Sequence, residues 1–132
     1  MTAFLRLGLA PRKYYILTVR GRKSGRLYST PVIVMEDNGQ RWLVSPYGER
    51  AWVKNARAVG QVVLSRGRHS EAVAIREELD PAQSAPVLKR YITEVSITRK
   101  FFDVTPSSPL EEFIAEAPRH PVFRIVGSPP NV

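Results

Sequence analysis

The stretch Tyr14-Tyr-Ile-Leu-Thr-Val-Arg-Gly-Arg-Lys-Ser-Gly-Arg-Leu-Tyr-Ser-Thr-Pro-Val-Ile-Val-Met35 decides the fold. Residues 14–20 are aromatic and β-branched, a composition that favours a strand. Gly21 and Gly25 bound a basic turn that ends it. Residues 27–35 then read as a second strand, close enough in sequence to return antiparallel to the first. Pro31 has no N–H for a ladder, so it is expected at a sheet edge or a bulge.

Working outward, Glu36-Asp-Asn-Gly39 signals a hairpin, because Asn-Gly accepts positive φ. Residues 41–45 return as a third strand. Residues 50–58 carry apolar positions at three- and four-residue spacing and read as a short helix with Gly60 just past its end. Residues 61–65 and 69–76 read as strands around a turn at Gly67. Asp80-Pro81-Ala-Gln83 opens a helix with a cap, an early proline and Gln at the third position, running to about Thr93. Ser108-Pro109-Leu-Glu111 repeats that logic for a helix ending before Pro118. Residues 121–126 close as a strand, and 128–132 form a Pro-rich tail. The expectation is a mainly β (α+β) chain with about six mostly antiparallel strands and three short inserted helices. A small barrel would protect the strand edges. No linker or internal repeat divides the chain, so residues 1–132 are expected to form a single domain.

Charge is concentrated at the start. The first acid is Glu36, and Arg6, Arg12, Lys13, Arg20, Arg22, Lys23 and Arg26 all precede it. These seven account for nearly all of the net charge of +8. A charge gathered this way points to an anion held in one place. The absence of cysteine excludes disulfides and thiolate metal sites. With only His69 and His120, both expected on strands, no metal centre is expected. No apolar run approaches the roughly 18 residues of a membrane span. The N-terminal stretch lacks the form of a signal peptide, so a cytoplasmic location is expected. Phe4, Leu5, Leu7 and Leu9 leave two readings open, a packed terminal turn or peripheral membrane association.

The turn at 21–25 has the chemistry of an anion site. Its glycines let consecutive N–H groups face one point. Arg22 can grip a phosphate or carboxylate with two donors, Lys23 adds a point charge and Ser24 a hydroxyl. It lacks the spacing of a P-loop, and a strand follows where a P-loop has a helix. The turn alone is equally compatible with a solvated hairpin tip.

The order Leu17-Thr-Val-Arg-Gly-Arg-Lys-Ser-Gly25, Ser29-Thr-Pro31, Gly48 and Trp52-x-x-Asn55 resembles the deazaflavin-dependent nitroreductase family, most clearly over residues 14–66. That resemblance implies a split β-barrel that binds coenzyme F420, a deazaflavin with a phosphate and an oligoglutamate tail. It implies hydride transfer from the reduced deazaflavin to a quinone, enone or nitroaromatic acceptor. Arg22, Lys23 and Ser24 would contact the phosphate and tail. Tyr28, Ser29, Thr30, Pro31, Val32 and Ile33 would line the cofactor. Ser45, Pro46, Tyr47 and Gly48 would meet the ring region, and Trp52, Val53, Lys54, Asn55 and Ala56 would close the site. Tyr91 is the candidate proton donor, with Tyr47 second. A homodimer is the assembly such barrels suggest, and no nucleic-acid partner is expected.

Shortening before Trp52, Val53 and Ala56 in place of the family's Tyr and Leu, and Tyr28 in place of a basic or polar residue depart from the pattern. Other readings therefore stay open: a non-catalytic binder of FMN, deazaflavin, haem or lipid on the same fold, or a small nucleic-acid-binding protein.

Overall fold

The computed structural model describes residues 14–127; the N-terminal apolar positions Phe4 to Leu9 lie outside them. Among these residues there are six strands: β1 (Tyr14–Arg20), β2 (Leu27–Asp37), β3 (Gln40–Val44), β4 (Gln61–Arg66), β5 (His69–Glu77) and β6 (Val122–Ile125). They close into an antiparallel barrel in the order β1-β2-β3-β6-β5-β4. The helices are α1 (Ala51–Val59), α2 (Pro81–Glu94) and α3 (Leu110–Glu116), with 3-10 turns at Ser96–Phe101 and Ala117–Arg119.

The local signals explain most of these elements. Asn38 and Gly39 both take positive φ, 54° and 79°, and set Asp37 opposite Gln40. Such a left-handed pair matches the twist of the flanking strands. Gly60 ends α1 at φ 81°, its N–H bonded to the Ala56 carbonyl. Asp80 Oδ1 accepts the Ala82 N–H at 3.0 Å and caps α2. The third helix starts differently from expectation. Ser108 is not its cap: Pro109 holds that position, and Ser108 Oγ instead accepts the Thr105 N–H at 2.9 Å. His69 begins β5 as expected, but His120 is buried in the segment before β6 rather than on a strand.

Side chains alternate across the strands and build two cores. Leu17, Val19, Val32, Val34, Leu43 and Phe123 fill the barrel together with Val53 and Ala56 of α1. Met35, Trp42, Val44 and Val122 face outward and pack under Leu88, Tyr91, Ile92 and Phe113 of α2 and α3. β2 belongs to both halves of the barrel. Its residues 27–33 pair with β1, and its residues 34–37 pair with β3. Pro31 sits opposite Ile16 in an unbroken register, so no bulge is needed. Among the described residues its other edge carries no strand, which is where a residue without an N–H is tolerated.

Candidate active site

A cleft of about 850 Å³ opens along that unpaired edge of β2. Its walls come from the 21–24 turn, β2, the loop after β3, the first turns of α1, and the end of α2 with the following 3-10 turn. This volume falls within the range of roughly 300–1,000 Å³ usual for small-molecule and cofactor sites.

One end of the cleft is the basic turn. Gly25 takes φ 73°, its N–H bonds the Gly21 carbonyl at 3.0 Å, and Ser24 Oγ accepts the Arg26 N–H at 3.1 Å. Arg20 is committed to the turn itself, donating to the Gly25 carbonyl at 2.8 Å. Gly21 lets the Tyr28 ring lie close over the turn: a Cβ there would lie 2.6 Å from Tyr28 Cε2 and force the ring to move. Arg22 is tied to α1, its backbone N–H and Nη1 both donating to Asn55 Oδ1, at 3.0 and 2.8 Å. Elsewhere Arg41, Arg57, Arg90, Arg119 and Arg124 are paired with acids. Among the described residues, no ion pair involves Arg22, Lys23 or Arg26. Among the described residues, the positive charge of the turn is therefore left without an acidic partner.

The other end is apolar and aromatic. Ile33, Val44, Pro46, Trp52, Tyr91 and Val95 contribute to its lining. Trp52 leans on Phe123 with ring centroids 5.8 Å apart, and Tyr47 meets the edge of Phe101 at 4.6 Å. Tyr91 is 4% exposed. Burial raises its hydroxyl pKa well above the phenolic value, and the neighbouring Tyr47 adds in the same direction. Its phenol is therefore a neutral, proton-bearing group.

The loop after β3 is fixed from behind. Ser45 Oγ donates to the Gly48 carbonyl at 2.6 Å, and His120 Nδ1 lies 2.9 Å from the Pro46 carbonyl. A carbonyl only accepts, so Nδ1 carries a hydrogen. His120 Nε2 is 2.7 Å from Glu116 Oε2, and Phe102 stacks on the imidazole at 3.8 Å. This buried group sits behind the cleft wall and supports it.

Of the residues singled out from the sequence, Arg22, Lys23, Ser24, Tyr28, Ser29, Thr30, Pro31, Val32, Ile33, Pro46, Tyr47, Trp52, Asn55 and Tyr91 line this one cleft. Five do not. Ser45 is fully buried in its loop, Val53 and Ala56 point into the barrel core, Lys54 is exposed on the far side of the helix turn, and Gly48 lies outside the lining near the Arg119 carbonyl. The helical period accounts for this: Ala51 and Trp52 and then Asn55, three and four residues on, share the cleft face, while Val53 and Ala56 turn to the core. The cleft also includes Tyr14, Gly21, Arg50, Ile97 and Thr98, which sequence reasoning missed. Arg50 was discoverable as the cation at the start of a helix beside Tyr47, whose ring it overlies at 5.3 Å.

A closed antiparallel barrel with a cofactor-sized cleft at the split of one strand is a split β-barrel. Solved structures share it. An F420-H2 dependent reductase is 19% identical, covers 86% of this chain and 94% of its own, and superposes with TM-score 0.56. A chain described as a domain-swapped dimer is 18% identical over 94% and 92%, with TM-score 0.57. An FAD-binding protein from Mesorhizobium loti is 15% identical over 97% and 89%, with TM-score 0.57. No curated protein matches the chain. The model of the F420H(2)-dependent quinone reductase family matches residues 6–98, and the chain belongs to that family. It is an F420-dependent oxidoreductase. Among the described residues no helix is long and apolar enough to cross a membrane.

Proposed function

We propose that this protein reduces a quinone in the cleft beside β2, with the anionic tail of coenzyme F420 at the 21–25 turn and its ring against the aromatic end. The observation that supports this reading is the division of one cleft into an uncompensated basic end and an apolar end. A coenzyme with a flat ring at one terminus and a phosphate and glutamates at the other needs that division. Arg22 and Lys23 supply the charge, with Ser24 as a hydroxyl partner. Gly21 keeps the turn close to Tyr28, where a side chain would push the ring aside.

The coenzyme, when bound in its reduced form, supplies the hydride. The chain's own residues position and shield it. Trp52, Pro46 and Ile33 exclude water from the ring end, which strengthens every polar contact there. A quinone that takes up a hydride needs one further proton to finish as the hydroquinone. Tyr91 is the buried cleft residue that holds such a proton on its hydroxyl. Its burial favours it over Tyr47, which is half-exposed.

Titration with F420, followed by the coenzyme's fluorescence, tests the reading. Saturable binding followed by quinone-dependent oxidation of the reduced coenzyme is expected. A folded protein that gives no saturable signal with F420 would refute it, and tighter binding of FMN would redirect it to a flavin.

A further inference from the structure

Asn55 occupies an unusual position in this cleft. It is 5% exposed, flanked on α1 by the fully buried Val53 and Ala56, and reaches Arg22 across 33 residues of sequence. Both bonds between them end on one atom, Oδ1, which accepts from the Arg22 backbone N–H and from Nη1. Because both partners are donors, the amide's orientation follows from chemistry. The backbone bond pins the turn, and the guanidinium bond sets the direction of the fork. Arg22 Nε and Nη2 have no partner among the described residues.

A carboxylate would make the same two bonds, and make them stronger. It would also cancel the guanidinium's charge at the one place where an anion has to be attracted. An amide oxygen orients without neutralising. Every other arginine side chain bonded to a side-chain acceptor among the described residues meets a carboxylate, as Arg41 does at Glu71 and Arg119 at Asp103. Among the described residues, Arg22 alone meets a neutral side-chain acceptor.

We propose that Asn55 is a positioning residue: it aims the Arg22 guanidinium at the anionic end of the coenzyme, and its neutrality keeps that charge available. This rests on the tail reading given above, and it makes Asn55 act through Arg22 rather than on the ring.

The test compares F420 with the same deazaflavin lacking the phosphate and glutamates, in fluorescence titrations of the wild type, Asn55→Asp, Asn55→Ala, Arg22→Ala and the double variant Arg22→Ala with Asn55→Asp. Thermal melting of each is measured alongside. Asn55→Asp keeps shape and hydrogen bonding, so its melting temperature should equal or exceed the wild type's. Its affinity for the tail-less form should be unchanged, and its preference for F420 should fall by about tenfold. Asn55→Ala should lose the same preference with a lower melting temperature. Arg22→Ala should remove the preference, and adding Asn55→Asp to it should cost nothing more.

Retention of the full preference in Asn55→Asp overturns the proposal. So does an equal loss for both ligands, which is the mark of a merely structural role. A wild type that binds both forms equally would instead show that the turn is no tail clamp, and the tail reading would fall along with this proposal.

Discussion

Tyr91 shows how one residue's surroundings set its chemistry. It sits near the end of α2 with its ring in the helix-facing core and its side chain on the cleft wall. Burial disfavours the phenolate, so the hydroxyl keeps its proton to a higher pH than a free tyrosine. Tyr91→Phe should leave F420 affinity unchanged and slow quinone reduction by roughly a hundredfold, the low end for loss of a positioned acid. Steady-state rates with fluorescence titration decide it; an unchanged rate would assign the proton to solvent or Tyr47. The same shift has a stability consequence. A folded-state pKa raised above the unfolded value of 10.0 contributes stability that is full below that pH and lost as pH rises beyond it. Chemical denaturation on either side of that pH should show a smaller alkaline loss in Tyr91→Phe than in the wild type.

At the scale of elements, the loop after β3 is held to α1 and β5 by one cation. Arg57 donates to both oxygens of Glu49, at 3.0 and 2.9 Å, and to both of Glu77, at 2.7 and 3.0 Å. The hydrogen bonds from Arg57 hold the Glu49 carboxyl below its ordinary value. A depressed folded-state pKa stabilises above the unfolded value of 4.5 and loses that contribution as pH falls below it. Glu49 is half-exposed, so solvent screening keeps the effect well under about 1 kcal/mol. Glu49→Gln should therefore be slightly less stable at neutral pH and converge on the wild type in acid, as read by urea midpoints across pH 4.5. Elements whose signals are local were legible in the sequence. The Asn38-Gly39 turn, the Asp80 cap and the Gly60 stop each act within a few residues of the atoms they satisfy. The 3-10 turn at Ser96–Phe101 was not, because it has neither an apolar period nor a capping residue, and Ile97 and Thr98 were missed with it. Three of the five residues from Trp52 to Ala56 fall outside the cleft lining for the opposite reason: a motif names consecutive residues, whereas a helix turns only every third or fourth toward a given face. Asn55 was legible as a candidate and does line the cleft, but not as a partner of Arg22, since nothing local links positions so far apart.

For the whole molecule, the cleft is bounded by parts of the chain that the barrel alone does not join. The basic turn, α1, the loop after β3 and the segment beyond α2 each reach it from a different direction. A ligand that touches all of them binds the folded state and not the unfolded chain. At a hundredfold excess over its dissociation constant F420 should stabilise the protein by about 2.7 kcal/mol, seen as a rise in melting temperature. The tail-less deazaflavin at the same concentration should raise it less, and an equal rise would remove the basic turn from the account. The order of the strands carries a further consequence, for the time course of folding. β6 is paired between β3 and β5, and its contact with β3 joins Val44 to Val122. The ring of strands is therefore completed by one of its most sequence-distant pairings, the kind whose loop entropy must be overcome before any contact rewards it. Hairpins such as β2–β3 and β4–β5 can form early and independently. Ser45 N–H bonds the Pro121 carbonyl at 2.9 Å, just ahead of the closing strand, so the wall that carries Pro46 and Tyr47 should be among the last features to form, and pulse-labelled hydrogen exchange during refolding should show it protected after the β2–β3 and β4–β5 hairpins.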